Sequence, residues 1–408
     1  MATQNRDLRT GQSYWQSRPM PRVPFTSLRG DIETDVLVVG AGVSGALVAE
    51  ALSAEHRLVI VDRRGPVRGS TPASTALVEY EIDTPLTLLA GKIGRLKAER
   101  AWRRSFLALN ALAARTRDLG IRADLRRADN LYLAGNVLDA DGIAEEFDAR
   151  RRAGLETRLL TRRGLKERFG ITRSAALLAY GDLALDPRRL TAGYLNTAIA
   201  RSARIFAPVD VTDVETAAGR VTAATAGGPT IRCEALVFAT GYEMPDSVPQ
   251  RRHQVFSTFA IATKPQPRNL WPEDCFIWEA ADPYLYLRST PDGRVICGGE
   301  DEEFSDEDAR DALIPKKSAA ISRKLKRLLP RLDTTPEFAW AGAFGSTETG
   351  LPSIGAVPGM ANCYAVLGFG GNGITYSRIG ADIIAGALSG RPDPDADLYA
   401  FTGTRVTR

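Results

Sequence analysis

Residues 35–45 read DVLVVGAGVSG, and this stretch decides the fold. The apolar run at 35–39 predicts a strand buried on both faces, as in a parallel sheet. The glycines that follow open a helix pattern at residues 46–53, ALVAEALS. A second apolar run, LVIV at 58–61, is typical of another buried strand and ends at Asp62. The sequence therefore predicts a βαβ unit of about 30 residues.

The glycines of this unit have GxGxxG spacing, and each has a physical role. Gly40 permits the tight turn, Gly42 lets the backbone approach a pyrophosphate, and Gly45 lets helix and strand pack closely. The helix N-terminus offers free N–H groups to phosphates. Asp62 can accept hydrogen bonds from a ribose diol. The motif thus predicts a dinucleotide site, and by itself leaves NAD and FAD open.

The composition excludes several other classes of function. Hydrophobic residues make up 44% and charged residues 25%, and the net charge of +4 is too small to favour nucleic-acid binding. The four cysteines are widely spaced and the histidines number two, so no disulfide framework or metal site is predicted. No signal peptide is recognisable, and no apolar run reaches the roughly 18 residues of a membrane helix. We expect a cytoplasmic protein with no membrane span.

Two distant segments favour FAD over NAD. Residues 235–241, ALVFATG, predict a strand that ends in a small-residue turn at Thr240 and Gly241, a form common in FAD proteins. Near the C-terminus, residues 368–373 read GFGGNG and precede a helix pattern. Between these segments, residues 255–263, 284–288 and 295–298 suit an antiparallel sheet.

Together these segments resemble the FAD-dependent D-amino-acid oxidase superfamily, in particular its branch of glycine oxidase, sarcosine oxidase and γ-glutamylputrescine oxidase. The resemblance runs along nearly the whole chain. The segments that carry it are SYW at 13–15, GST at 69–71, ASTAL at 73–77, PV at 208–209, YLYLR at 284–288, CGGED at 297–301, WAG at 340–342, TETGLP at 347–352 and GFGGNG at 368–373.

The resemblance implies an α/β fold (α+β overall) with a Rossmann-type FAD-binding domain and an inserted antiparallel-sheet substrate domain. We assign residues 1–30 to an N-terminal arm, 31–80, 146–248 and 336–400 to the FAD-binding domain, and 81–145 and 249–335 to the substrate domain. The expected contacts of a non-covalent FAD, from motif and resemblance together, are Gly40, Gly42, Val43, Ser44, Gly45, Asp62, Arg63, Gly69, Ser70, Thr71, Ser74, Thr75, Ala76, Val209, Thr240, Gly241, Gly370, Gly371, Asn372, Gly373 and Ile374.

The chemistry that the resemblance implies is oxidation of a C–N bond of a small-molecule amine or amino acid. Hydride passes to flavin N5, the resulting imine hydrolyses, and oxygen or another acceptor takes the electrons. The N–H groups of the C-terminal glycines would stabilise charge on the reduced flavin. One alternative is a flavin dehydrogenase that acts on a hydroxy acid, with His253 as the only obvious base, or that uses a non-oxygen acceptor. Another is a flavin-binding protein without turnover.

The predicted substrate pocket departs from the family pattern at two positions. Phe344 stands where glycine oxidase has an arginine that clamps the substrate carboxylate, and Ile296 where sarcosine oxidase has a lysine that promotes reaction with oxygen. Phenylalanine cannot make a bidentate carboxylate pair. Tyr284 matches a pocket tyrosine, and Arg288 is either a carboxylate anchor or a solvated strand-end arginine. The acidic run at 300–303 could attract a cationic amine.

Overall fold

The computed structural model describes residues 6–250, 253–367 and 370–401. Within these ranges the strands are, in chain order, β1 (Arg9–Gly11), β2 (Ile32–Val39), β3 (Leu58–Val61), β4 (Leu77–Val78), β5 (Arg126–Ala134), β6 (Thr157–Thr161), β7 (Ala175–Ala184), β8 (Arg204–Phe206), β9 (Val211–Ala217), β10 (Arg220–Thr225), β11 (Thr230–Phe238), β12 (His253–Thr263), β13 (Phe276–Ala280), β14 (Leu285–Ser289), β15 (Val295–Glu302), β16 (Pro336–Thr347), β17 (Ser353–Ala356) and β18 (Cys363–Leu367). The α-helices there are α1 (Val43–Leu52), α2 (Leu86–Ile93), α3 (Arg95–Asp118), α4 (Ala140–Arg152), α5 (Arg162–Phe169), α6 (Pro187–Ala200), α7 (Glu307–Leu328) and α8 (Gly373–Leu388).

The first sheet has eight strands, with the order β17-β18-β11-β2-β3-β8 and a β9–β10 hairpin added to β11. Strands β18, β11, β2, β3 and β8 are parallel to one another, while β17 and the β9–β10 hairpin are antiparallel additions. Val36 and Val38 pack in one hydrophobic core, while Leu37 and Val39 pack in another on the opposite face. A strand with apolar cores on both faces needs a continuous apolar sequence, and the predicted βαβ unit is confirmed.

The second sheet has ten strands, with the order β1-β16-β12-β15-β14-β13-β5-β7-β4 and β6 paired to β7. Neighbours are antiparallel except for β5 and β13. Helix α7 packs against β12, β15 and β16. A hairpin joins β14 to β15, with Ser289 opposite Val295, and both strands lie in the antiparallel sheet that the sequence predicts. The mixed α/β fold expected from the sequence is therefore present.

Sheet membership differs from the predicted domain division. Strands β6 and β7 pair with each other, and β7 also pairs with β5, so residues 157–184 belong to the second sheet. Strand β16 belongs there too, through its pairing with β12. The boundary at 146 therefore lies in α4, between strands β5 and β6 of the second sheet, and the boundary at 336 puts β16 of that sheet in the other domain. Strand pairing joins distant segments, and hydrophobic periodicity within one segment carries no information about its partner.

The N-terminal arm is also part of the fold. Strand β1 pairs with β16, and Trp15 is fully buried with its indole N–H donating to the carbonyl of Ser74 (2.6 Å). The arm therefore fixes the segment that follows the βαβ unit. None of the helices in the described ranges is both long and apolar enough to cross a membrane.

Candidate functional site

A cavity of about 610 Å³ is lined by residues of both sheets. This volume is within the range of about 300–1,000 Å³ that small-molecule and cofactor sites occupy. The predicted cofactor contacts that line it are Gly40, Gly42, Val43, Ser44, Asp62, Arg63, Gly69, Ser70, Thr71, Ser74, Thr75, Val209, Thr240, Gly241, Gly370, Gly371, Asn372, Gly373 and Ile374. The fold thus brings six separate segments of the sequence to one cavity. Gly368, the first residue of the C-terminal glycine segment 368–373, lies outside the described residues.

The glycines of the βαβ unit make a close turn between β2 and α1. Gly40 has a φ of 114°, and a Cβ there would lie 2.3 Å from the carbonyl oxygen of Ala239. Gly42 precedes α1 with no side-chain cap. The backbone N–H of Val43 reaches only the hydroxyl of Thr71, at 3.2 Å. This helix N-terminus is therefore open toward the cavity, as an anion site requires.

Two of the predicted contacts do not line the cavity. A Cβ on Gly45 would lie 1.8 Å from the carbonyl oxygen of Gly40, so Gly45 acts through the packing of α1 on the turn. Ala76 has a φ of 57°, and its carbonyl oxygen accepts a hydrogen bond from Arg288 (2.5 Å). Both residues lie behind the residues that line the cavity, and we assign them no contact with the cofactor.

Asp62 is held beside the glycine turn by backbone donors. Its Oδ2 accepts from Ala41 N–H, and its Oδ1 accepts from Arg64 N–H and Gly65 N–H, each at 2.8 Å. Burial raises the pKa of Asp62, while these three hydrogen bonds favour its ionised form. A carboxylate fixed at the end of β3 is placed to accept from a ribose, as the motif predicts.

An arginine–carboxylate network that sequence analysis missed flanks this end of the cavity. Arg63 pairs with Asp210 (2.8 Å), and Arg64 pairs with Glu243 (2.6 Å). Glu243 lies about 180 residues along the chain from Arg64, and no local pattern links them. These arginines place positive charge near the dinucleotide motif, where phosphates are expected.

The C-terminal glycine segment meets a carboxylate that sequence analysis also missed. The backbone N–H of Gly371 donates to Oδ2 of Asp83 (2.7 Å), and Asn372 donates to the carbonyl of Glu81 (2.5 Å). Asp83 is open to the cavity but crowded by its walls, and this desolvation raises its pKa to about 6. No sequence signal around Asp83 distinguishes it from a solvated loop carboxylate.

Tyr284 and Phe344 line the same cavity, as predicted. The Tyr284 hydroxyl donates to Oδ2 of Asp301 (2.7 Å), and burial, followed by the charge of Asp301, raises the tyrosine pKa well above its ordinary value. Phe344 on β16 lies directly opposite Phe256 on β12. The position of the family's carboxylate clamp is therefore part of an aromatic wall.

Arg288 does not line the cavity, which corrects its predicted role as a carboxylate anchor or a solvated arginine. It is 1% exposed, and its guanidinium donates to the carbonyls of Ala76, Leu185 and Ser289. Burial lowers its pKa to about 9. The side chain joins β14 to the segments around Ala76 and Leu185, because the backbone carbonyls of these two residues accept its hydrogen bonds.

His253 and Ile296 also lie away from the cavity lining. His253 begins β12 opposite Thr347. Ile296 is fully buried in the core, and on β15 it pairs with Arg288 on one side and Ala262 on the other. The cavity lining within the described residues includes no histidine, lysine or cysteine.

These residues fit FAD on structural grounds. The uncapped N-termini of α1 and α8 reach one cavity, and the hydroxyls of Ser44 and Ser377 join the two helices at 2.8 Å. Side chains at Gly40 or Gly370 would collide with Ala239 or Asp83. Open helix N-termini at two places suit a ligand that carries negative charge at both.

Comparisons with known proteins agree with this geometry. The family model of FAD-dependent oxidoreductases of the DAO family matches residues 35–387. The γ-glutamylputrescine oxidoreductase of Escherichia coli K12 is 24% identical over 422 residues, which is 97% of this chain and 94% of that protein. Glycine oxidase of Geobacillus kaustophilus superposes with a TM-score of 0.73 at 20% identity, over 92% of this chain and 100% of that chain.

A third comparison concerns the cofactor. The structure of L-α-glycerophosphate oxidase from Mycoplasma pneumoniae, reduced with dithionite and with FAD bound, superposes with a TM-score of 0.73 at 16% identity. The match covers 88% of this chain and 95% of that chain. Since the family model spans most of the sequence, this chain belongs to the DAO family of FAD-dependent oxidoreductases.

Proposed function

We propose that this enzyme oxidises a C–N bond of an amine or amino acid to an imine, which water then hydrolyses. The observation that carries the proposal is a single cavity that joins the dinucleotide motif and the C-terminal glycines to Tyr284, Asp301 and Phe344. Two of the three proteins compared above support this class of substrate. They are the γ-glutamylputrescine oxidoreductase, which matches in sequence, and glycine oxidase, which matches in fold.

The cofactor contacts stay a proposal at the level of individual residues. FAD, when bound, supplies the acceptor for the two electrons and the hydrogen that leave the substrate carbon. We assign the phosphates to the N-terminus of α1 with Arg63 or Arg64 nearby, the ribose to Asp62, and the ring system to residues 370–374. The absence of cysteine from the described lining supports non-covalent binding.

The protein's own part in the reaction is to orient the substrate and remove a proton. The amine must be neutral, because its lone pair forms the new C=N bond. Asp83, with its pKa raised to about 6 by desolvation, is positioned to accept the proton that an ammonium group loses. Apolar walls such as Phe344 keep water from the reacting carbon.

The alternative of hydroxy-acid oxidation is less well supported. An alcohol lacks the amine's electron push and needs a base for its hydroxyl proton, and His253 lies outside the cavity lining. The electron acceptor is a separate question. Because Ile296 is apolar and buried, no lysine stands where the family's oxygen-activating residue is expected. We propose slow reaction with oxygen and transfer to another acceptor.

One experiment tests both the oxidation of a C–N bond and the identity of the electron acceptor. The holoenzyme is mixed anaerobically with a library of amines, amino acids and hydroxy acids, and bleaching of the flavin absorbance is followed by stopped flow. Bleaching by amines supports C–N oxidation, whereas bleaching by hydroxy acids alone contradicts it. Admission of air, compared with addition of a redox dye, then shows which acceptor reoxidises the flavin faster.

A further inference from the structure

The part of the cavity outside the dinucleotide motif is acidic. Its described lining contains Glu79, Asp83, Glu279, Asp282, Asp301 and Glu303. The cations among the lining residues are Arg63 and Arg64, both at the motif and both paired with carboxylates. A carboxylate-bearing substrate would therefore meet repulsion over most of this surface.

Most of these acidic side chains have no cationic partner. Glu279 is paired with Arg173 (2.6 Å). The other five form no ion pair of 4.0 Å or less within the described residues, and three of them, Asp83, Asp282 and Glu303, are exposed. Glu79 accepts only from the amide of Asn130 (3.2 Å). The protein thus gathers carboxyl groups at this cavity without cationic partners, and burial raises the pKa of Glu79, Asp83 and Asp301, which a cationic ligand would lower again.

Asp301 gives an independent indication of a missing partner. Its Oδ2 accepts from Tyr284, and the Thr258 hydroxyl lies close enough to favour the ionised carboxylate, whereas Oδ1 is buried with no hydrogen bond of standard geometry in the described part of the chain. A buried carboxylate oxygen without a partner is unfavourable, and a cation that enters the cavity would relieve this. Lys317 and Lys324, the nearest cations on α7, are engaged with Glu300 and Glu302.

Aromatic rings complete this wall. Tyr132 and Trp278 are stacked with their centroids 4.2 Å apart, and Tyr284 and Tyr286 lie 5.7 Å apart. A ring at position 286 fits because Gly298 lies beneath it, where a Cβ would come within 2.3 Å of the phenol. Ring faces attract ammonium groups, and more strongly where water is excluded.

We propose that the substrate is an amine with a second, non-reacting positive charge, a diamine or polyamine without a carboxylate, held by Asp301 among the cavity's aromatic rings. This inference rests on the proposed function. One nitrogen loses its proton and is oxidised with its carbon to the imine, and the two electrons pass to FAD. The distal ammonium stays protonated beside the carboxylates.

Three four-carbon ligands test the inference on the holoenzyme: 1,4-diaminobutane, butylamine and 4-aminobutanoate. They share a reacting aminomethyl group and differ in the charge of the far end. Perturbation of the flavin spectrum gives their dissociation constants, and anaerobic bleaching gives their rates. We expect the diamine to bind about tenfold more tightly than butylamine, the effect of a partly screened charge pair, and the amino acid to bind most weakly.

The variant D301N should bring the diamine-to-butylamine affinity ratio close to one. E303Q removes an exposed carboxylate and should lower the ratio by about threefold, since solvent screens that charge. D308N is the matched control, because Asp308 is an exposed carboxylate in the first turn of α7 and lies outside the cavity lining, so this variant should keep the wild-type affinity ratio. Circular dichroism verifies that each variant is folded.

The outcomes separate the two proposals. Tight diamine binding without bleaching contradicts the proposed C–N oxidation while supporting the recognition of a dication. Bleaching by butylamine or by 4-aminobutanoate, with no advantage for the diamine, supports C–N oxidation and overturns the dication inference. An unchanged ratio in both D301N and E303Q, or no binding of any of the three ligands, also overturns it.

Discussion

The backbone N–H of Gly371 donates a 2.7 Å hydrogen bond to the carboxylate of Asp83, 288 positions away in the sequence. The contact places a carboxylate at the glycine segment that precedes α8. Asp83 is open to the cavity, and the surrounding walls displace part of its hydration, which raises its pKa to about 6. Its charge should therefore change in a pH range where the protein is folded, and this has a measurable consequence for stability.

We expect the stability of the apoprotein to fall as pH rises from about 4 to about 6 because of Asp83. In this window the native state retains a proton that the unfolded chain, with an ordinary pKa of 3.8, has released. D83N lacks this titration, so its melting temperature relative to the wild type should rise across the window by about 1–3 °C. A difference that stays constant with pH would contradict this prediction.

A matched pair of glycine substitutions should separate packing from cofactor binding. G45A places a Cβ 1.8 Å from the Gly40 carbonyl oxygen, and we expect it to lower the free energy of unfolding by about 2 kcal/mol or more. G42A places its Cβ 3.4 Å from the Thr71 hydroxyl, an ordinary contact, so the apoprotein should keep its stability within about 0.5 kcal/mol.

G42A should nevertheless weaken FAD binding about tenfold or more, since its methyl group lies where the backbone must approach a pyrophosphate. Urea unfolding of the apoproteins and fluorescence titration with FAD measure the two effects. Unchanged FAD affinity in G42A would show that the phosphates bind elsewhere.

The buried guanidinium of Arg288 should contribute to stability and not to substrate recognition. R288M leaves the carbonyls of Ala76 and Leu185 without their donor, and each unsatisfied buried acceptor costs about 1–3 kcal/mol. We expect a total loss of about 3 kcal/mol in urea unfolding. R232M, at an arginine that is 55% exposed on β11, is the control and should change stability by less than about 0.5 kcal/mol. If R288M were as stable as the wild type but bound ligand more weakly, Arg288 would be a carboxylate anchor after all.

Replacement of Phe344 should change which substrates the cavity accepts. F344R introduces a guanidinium at the clamp position, where it can pair with a carboxylate in two parallel hydrogen bonds. We expect the rate of anaerobic flavin bleaching by glycine and other free amino acids to rise about tenfold relative to bleaching by amines. F344L keeps the position apolar and should not produce this change. No gain for amino acids in F344R would place the clamp elsewhere.

Local sequence was sufficient for much of the fold and of the cofactor end of the cavity. The spacing of Gly40, Gly42 and Gly45 between apolar runs predicts a turn, an open helix N-terminus and a close helix–strand contact, and each is present. These features depend on steric limits within a few residues, which the side chains at those positions set. The position of Phe344 in the cavity wall followed from its place after the WAG segment.

Other features were decided by tertiary structure. Arg288 has the same sequence context whether it points to solvent, to a ligand or to backbone carbonyls, and the packing of β14 against neighbouring segments selects the last. The membership of β6 and β7 in the second sheet depends on pairing with β5, a choice among many possible partners. The sequence by itself determined the glycine turn between β2 and α1, because the steric limits on that turn involve only neighbouring residues. Only the tertiary structure brought Asp83 to Gly371 and Asp301 to Tyr284, because contacts between distant segments depend on how the whole chain packs.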